Sequence, residues 1–479
     1  MTGSCGAQIS LATRGRMFRA RADGTPKLVG MYVSVEDGQA PDPPGSAEDA
    51  GQARAVLAGI GGRFSAARAL LDRPLTSYYL IAGITTLLLS LGLVMVLSTA
   101  SWVDLSKGES PYRDFEVQLA GIIVGVPVMW VAARCSPRLF RAAAYPLLAV
   151  SAIGLCLVLI PGVGAHVNGA TRWIAITGSL RFQPSELAKL ALAVWGADLL
   201  ARKEKLGMLA DWRHMLVPLL PGTGVLALLV MGGEDLGTTS ILLIIFLALL
   251  WFIGTPGRVF AGLLILMGLV LLLLMVTESY RVSRLTGFLD TANTDPTGSQ
   301  MQAIQGRYAL GSGGIFGLGL GASREKWGWL PESTSDFIFA IIGEELGLVG
   351  TFCVTALYGG LAFAGLRVAR RAPDTFSRLL AAVITVWIVA QAVVNIGAVI
   401  GLFPITGVPL PLVSQGLSSV MVTMVGLGML MSFARREPGA SHALAARGPS
   451  PGSRALSWLR QGTRRGTLGR PARHEASRR

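Results

Sequence analysis

The chain has 479 residues, 52% of them hydrophobic and only 15% charged, with a mean hydropathy of +0.55. So apolar a composition excludes a soluble globular protein of this length and implies a polytopic membrane protein. The formal net charge of +14 owes much to arginines in residues 435–479, so attraction to anionic lipid accounts for it better than nucleic acid binding does.

Residues 1–76 are loosely patterned, with an acidic, proline-containing patch at 36–49, and read as a largely disordered cytoplasmic tail. No compact apolar stretch precedes a cleavage site there, so a signal peptide is not expected, and Met17 or Met31 could be the translation start. Apolar runs follow at 78–99, 117–133, 143–160, 187–200, 215–231, 238–253, 259–276, 337–366, 379–401 and 416–433. At ~20 residues per crossing they predict about ten transmembrane helices and an all-α membrane domain over 77–436. Basic residues cluster at Arg134, Arg138 and Arg141, at Arg202, Lys203, Lys205 and Arg213, at Arg258, and at Arg367, Arg370, Arg371 and Arg378. The positive-inside rule then puts both termini in the cytoplasm and the long loop 277–336, between the seventh and eighth helices, outside. Residues 437–479 read as a basic, disordered cytoplasmic tail. Cys5, Cys135, Cys156 and Cys353 fall in cytoplasmic or membrane positions, with neither a disulfide framework nor metal-ligand spacing.

Polar segments interrupt this pattern at the outward ends of helices. In the first, 167–192, Asn168-Gly169 signals a turn, Pro184 suits the first turn of a helix, and Gln183 or Ser185 can serve that helix start. Glu186 and Lys189 share a helical face, where they either pair to fix packing or line a wet cavity. Arg172 beside Trp173 is an interfacial anchor or a ligand for an anionic headgroup. In the second, 233–238, Asp235 is the natural helix cap. The long loop carries Arg281, Arg284, Arg307, Arg324 and Lys326, an outward cationic excess that implies an anionic partner. Its glycine run, 311–321, follows no strand and so is not a nucleotide fingerprint; it permits tight turns or close approach to a headgroup.

The stretch WLPESTSDFIFAIIGEELG, 329–347, sets Asp336 at the seam between this loop and an apolar helix. A carboxylate where water meets hydrocarbon is a functional-site candidate, and the competing reading is a helix cap by Thr334, Ser335 or Asp336. In the last segment, 401–419, Pro404, Pro409 and Pro411 prevent regular helix between two spans, and irregular backbone at membrane depth is tolerated only against protein or a water-filled cavity. Gln391 and Asn395, one turn apart, either line that cleft or lock two helices together.

NGATRWI, QPSELAKLAL, DLGT, GSGGIFGLGLG, LPESTSDFIFAIIGEELG and the NIG…LPL.S.G segment resemble, in order, the motifs of the SEDS (shape, elongation, division and sporulation) family, over about 78–436. The resemblance implies polymerisation of peptidoglycan glycan from lipid II by inverting transfer, with Asp336 at the position of the family's catalytic aspartate. The division enzymes are the most similar branch and the elongation enzymes the runner-up. Two departures stand out: Thr334 and Ser335 replace a usual histidine-threonine pair before the aspartate, and Gln415 and Leu417 replace tyrosine and glycine in the last motif.

On this reading Asp336 takes the proton of the acceptor sugar's 4-hydroxyl. Lys326, Arg324 and Arg284 are candidates to stabilise the departing pyrophosphate. Arg172, Glu186, Lys189, Gln302, Gln305 and Ser414 are further candidates for substrate binding. Glu332 is the one acid close enough to rival Asp336, whereas Glu344 and Glu345 lie ~12–13 Å farther along the helix and read as cavity or packing residues. A divalent cation, Mg or Mn, could share the leaving-group task, with no protein metal ligands assigned. The implied partners are lipid II, a class B penicillin-binding transpeptidase, other division proteins and membrane lipid, without nucleic acid, at the septal plasma membrane. A lipid flippase, whose marks are polar groups and broken helices within the membrane, and a non-enzymatic division scaffold are the competing classes.

Overall fold

The computed structural model of the protein describes residues 75–106, 108, 110–167, 170–177, 180–276 and 301–440. Of the two tails read as disordered, 1–76 and 437–479, all but 75–76 and 437–440 lie outside the described residues, as do Arg281 and Arg284. Helices α1 (Thr76–Ser106), α2 (Arg113–Ala132) and α3 (Pro137–Val158) come first. A small sheet follows, β1 (Gly164–Val167), β2 (Ala170–Thr177) and β3 (Leu180–Phe182), then α4 (Pro184–Lys205), α5 (Trp212–Leu216), α6 (Leu219–Gly232), α7 (Leu236–Ile253) and α8 (Gly257–Val276). The chain continues with α9 (Met301–Ser312), α10 (Ile338–Arg371), α11 (Thr375–Val399) and α12 (Leu417–Ala434).

Each expected apolar run is helical. Among the described residues, nine segments are long and apolar enough to cross a membrane, with Trp212–Gly232 counted as one across α5 and α6. The tenth expected span, α4, is not among them because it carries Glu186, Lys189 and Asp198. Its 22 residues still measure ~33 Å at ~1.5 Å per residue, enough for a hydrocarbon core of ~30 Å. Neighbours α3, α7 and α11 enclose it so completely that almost every residue from Pro184 to Ala201 is buried. A helix with no lipid-facing surface can hold charges that partners satisfy internally. Asp198 does so with Arg202, 2.7 Å away, and Arg141, 3.9 Å away. By contrast α8, whose buried residues are only Leu263 and Met267, is apolar all round and sits at the periphery.

Local signals set the helix ends. Pro137 and Pro184 occupy the first turns of α3 and α4, where a missing N–H costs nothing. Asp374 caps α11 by accepting from Ser377 N at 3.2 Å. Asp235 caps α7 by accepting from Thr238 N at 2.9 Å and Thr238 Oγ1 at 2.7 Å, as its position implies.

Two regions depart from the sequence expectation. The segment before α4 is more than a turn: β1–β2–β3 form an antiparallel sheet, with Gly164 opposite Ile174 and Ile174 opposite Phe182, built on the β-branched and aromatic run TRWIAIT. Gln183 and Ser185 do not cap α4; Gln183 Nε2 and Ser185 Oγ turn to Asp235 Oδ2, at 3.0 and 3.5 Å. The expected loop 277–336 contains helix α9, whose Met, Gln, Ala, Arg and Leu are good helix formers.

After α9 the glycine-rich segment packs on α10 at a break in that helix. Gly347 has φ 67° and ψ −162°, a conformation open essentially to glycine alone. The backbone groups around the break are satisfied by Leu318 N to Glu344 O at 2.9 Å, Gly319 N to Glu345 O at 3.0 Å and Leu348 N to Gly314 O at 3.0 Å. A Cβ on Gly313 would stand 1.9 Å from Gly343 O, and one on Gly317 2.2 Å from Glu345 O. The close approach these glycines permit is therefore to a broken helix, not to a lipid headgroup. At the other end of the bundle, buried Glu437 lies 3.8 Å from Arg371, so the packed structure runs past the expected boundary at 436.

Candidate active site

Asp336 lies in a turn that precedes α10. Glu332, at φ 56°, accepts from Ser335 N at 3.2 Å and Phe337 N at 3.1 Å through its carbonyl, folding the chain back on itself. Thr334 stands where the family has histidine and Ser335 where it has threonine; Ser335 donates from Oγ to Glu332 Oε2 at 2.6 Å. The residue at the N-cap of α10 is Phe337, which makes no side-chain hydrogen bond to the helix, so Asp336 stands one residue before the cap position.

Three successive carbonyls of this turn are held by the proline-rich loop and the helices that flank it. Thr334 O accepts from Gln415 N at 3.0 Å, Ser335 O from Ser414 Oγ at 2.5 Å, and Asp336 O from Asn395 Nδ2 at 2.7 Å. Gln415 acts through its backbone, which explains how its side chain can depart from the family pattern. The loop is in turn fixed from several sides. Asn395 Nδ2 also donates to Val408 O at 2.8 Å, Gln391 Nε2 to Pro409 O at 3.0 Å, and Tyr358 Oη to Pro411 O at 2.5 Å. Gln118 Oε1 accepts from Gly416 N at 3.2 Å. Behind Gln391, Lys189 Nζ donates to its Oε1 and to Glu186 Oε1, both at 2.9 Å. Glu186 and Lys189 thus form a buried pair, each 1% exposed, that props the loop rather than lining a wet cavity. Groups held this tightly from behind keep the Asp336 turn in one geometry.

A cleft of about 10 Å³, roughly the room one water needs, lies against Asp336 and is lined by Phe337, Asn395, Ala398, Val399, Ile405 and Gly407 among others. Gly407, at φ 70°, brings backbone close: a Cβ there would stand 3.6 Å from Asp336 Oδ2. Asn395 Oδ1 is buried without a hydrogen-bond partner among the described residues, leaving an acceptor on a cleft-lining side chain. Arg307 of α9 approaches Gly401, its Cδ lying 3.8 Å from a Cβ built there. Gly306 packs on Phe337, so α9 rests directly on the Asp336 turn. Gln302 and Gln305 are half-buried on the same helix.

The other predicted cations divide. Lys326 is 5% exposed and turned inward: its Nζ meets Glu345 Oε1 at 3.2 Å, Ser98 Oγ at 3.1 Å and Gly321 O at 2.8 Å. Glu344 accepts from Ser323 Oγ at 2.5 Å and Arg324 N at 2.8 Å, leaving the Arg324 side chain exposed. Burial, reinforced by the charge of Glu344, raises the Glu325 carboxyl above its ordinary range. Arg172 donates from Nη2 to Glu234 O at 2.7 Å, tying β2 to the turn before α7 and away from the Asp336 cleft. Sequence reasoning passed over Gln118, Tyr358 and Gly407. Only Gln118, a lone amide in an apolar run, offered a signal. Among the described residues no three His, Cys, Asp or Glu side chains converge as metal ligands.

The family model described as cell cycle protein, FtsW/RodA/SpoVE, matches residues 78–438. The chain is 43% identical over 380 residues to the probable peptidoglycan glycosyltransferase FtsW of Mycobacterium tuberculosis, covering 79% of this chain and 71% of that one. It is 38% identical over 359 residues to stage V sporulation protein E of Bacillus subtilis, covering 74% and 96% respectively. Among solved structures it is similar to RodA of Thermus thermophilus, with TM-score 0.54 and 27% identity over 77% of this chain and 98% of that one. A second similar chain, with TM-score 0.59 and 28% identity over 76% and 98%, comes from a peptidoglycan synthase complex described as coordinating polymerization and crosslinking. Ordered motifs, helical architecture and these likenesses agree: the chain is a multi-pass membrane protein and belongs to the FtsW/RodA/SpoVE family of cell cycle proteins.

Proposed function

We propose that this chain is a peptidoglycan glycosyltransferase of the division branch, which polymerises lipid II at the septal membrane. The observation that carries the proposal is the half-buried carboxylate of Asp336 on a cleft, with the carbonyls of Thr334, Ser335 and Asp336 itself all pinned by Gln415, Ser414 and Asn395. In the reaction the acceptor's 4-hydroxyl oxygen attacks the anomeric carbon of the donor with inversion. Its proton passes to Asp336 while the bond to the pyrophosphate oxygen breaks and the electron pair leaves with the pyrophosphate. Exposed Arg307, on the helix that packs against the Asp336 turn, and exposed Arg324 are the described cations we assign to the growing charge, with Arg284 a further candidate. Lys326, committed to Glu345, serves the frame instead. No step is assigned to a metal ion.

The share of FtsW-named relatives favours the division role over the elongation role. The basic clusters favour both termini in the cytoplasm, with Asp336 on the outer face. The similarity to a complex described as joining polymerization to crosslinking supports a penicillin-binding transpeptidase as partner. Purified protein, with that partner, supplied with labelled lipid II tests the reading: wild type should form long glycan and Asp336→Asn none. Near-normal polymer from the variant would remove Asp336 from the chemistry, and no polymer from wild type would refute the polymerase assignment.

A further inference from the structure

At the opposite end of α12 from the Asp336 loop, three arginines meet in a space of their own. A cleft of about 210 Å³ between the ends of α2 and α12 is lined by Ala133, Arg134, Ser432, Arg435 and Arg436. It is much roomier than the cleft at Asp336. Each guanidinium spends one contact on a main-chain carbonyl near the end of α2: Arg134 on Trp130 O at 3.4 Å, Arg435 on Ala133 O at 3.3 Å and Arg436 on Cys135 O at 3.4 Å. Ser432 Oγ donates to Cys135 O at 2.7 Å and fixes the same corner. A guanidinium carries five N–H donors, so most remain available to an oxygen-rich anion. Among the described residues no acid lies within ion-pair distance of any of the three. The nearest in sequence, Glu437, faces Arg371.

A single arginine would suffice to cap a helix C-terminus, where a favourable charge acts only within the last turn. Three in one cleft leave an uncompensated excess. Burial, and after it the charge of Arg435, lowers the Arg134 pKa, the expected sign for a cation lacking its counterion. The guanidinium of Arg134 lies 3.3 Å from the centre of the Trp130 ring, and exposed Trp130 has the amphipathic character that favours the membrane interface. Beside it, Val124, Val128 and Val131, all exposed, make a continuous apolar stripe along α2 leading up to the cleft.

We propose that Arg134, Arg435 and Arg436 form a binding site for the phosphate of an anionic phospholipid headgroup, whose acyl chains lie along the Val124, Val128 and Val131 face of α2. A soluble phosphate would have no use for that stripe, and basic pockets between the ends of transmembrane helices are known to take anionic headgroups. The site is separate from the polymerase reading and survives its failure.

Native mass spectrometry of the full chain released from detergent, with phosphatidylglycerol or phosphatidylcholine added, tests it. Wild type should retain phosphatidylglycerol in preference to phosphatidylcholine. The double variant Arg134→Gln, Arg435→Gln should bind phosphatidylglycerol about thirtyfold more weakly, from the usual worth of two basic residues at an anionic surface. The charge-preserving pair Arg134→Lys, Arg435→Lys should keep most of the binding, which separates loss of charge from loss of folding. Equal retention of both lipids by wild type, or unchanged phosphatidylglycerol retention in the glutamine variant, would overturn the site. Inorganic phosphate that displaces phosphatidylglycerol at millimolar concentration would overturn the lipid assignment.

Discussion

Asp336 and the pair Glu344 and Glu345 belong to one short segment, yet the fold treats them oppositely. The two glutamates are 1% and 0% exposed and are met by Ser323, the Arg324 amide, Ser98 and Lys326 at the break in α10. Asp336 is half-buried on a cleft, and its main-chain carbonyl is held by Asn395. Pinning the backbone of Asp336 fixes where its side chain sits on the cleft; holding the two glutamates by their carboxylates uses their charge for folding. A buried charge with an internal partner is therefore a frame element, even in a segment whose next acid is the proposed base.

Substitutions can break that contrast. Asp336→Asn should lower polymerisation by about 10²–10⁴-fold, the usual worth of a general base, with an unchanged thermal midpoint in detergent. Glu332→Ala should be milder in the same labelled-lipid assay. Lys326→Ala should do the reverse: it leaves Glu345 charged and unpaired, a loss of about 3–5 kcal/mol seen as a lower melting temperature and poor yield. Replacing both partners, Lys326→Met with Glu345→Leu, should recover much of that stability. If the double variant folds well but binds no lipid II, Lys326 belongs with the substrate after all.

Asn395→Ala removes two hydrogen bonds, to Asp336 O and Val408 O, and should slow turnover more than it weakens folding. About tenfold in turnover is the expected scale for ~1–1.5 kcal/mol of lost positioning. A fall in stability with unchanged turnover in the surviving protein would show that the carbonyl pins do not matter for chemistry.

The smallest effect concerns Glu325, whose folded pKa is raised by burial and by Glu344. In the folded protein it holds its proton to higher pH than in the unfolded chain. Its contribution therefore declines as pH rises from the ordinary carboxylate range through the raised folded value, and is constant above it. Glu325→Gln should flatten that part of the melting-temperature profile between acid and neutral pH; an identical slope in the variant would place the dependence elsewhere.

Much of this was legible before any fold was known, because hydropathy, helix ends and charge asymmetry are local or additive properties of the chain. The ten apolar runs, the cap at Asp235 and the exposed seam at Asp336 are all of that kind. Pairing was not legible. Gln118 meets Gly416 across 298 residues, Lys189 meets Gln391 across 202, and Ser414 meets Ser335 across 79. The glycines at 313 and 317 hid the same way, since the backbone they admit belongs to α10. Sequence by itself determined which segments cross the membrane and which carboxylate stands at its edge. Tertiary structure decided that Lys326 turns inward, that α4 carries its charges buried, and that three main-chain carbonyls anchor Asp336, because a buried polar group is stable only beside a partner and the partner's address is set by packing.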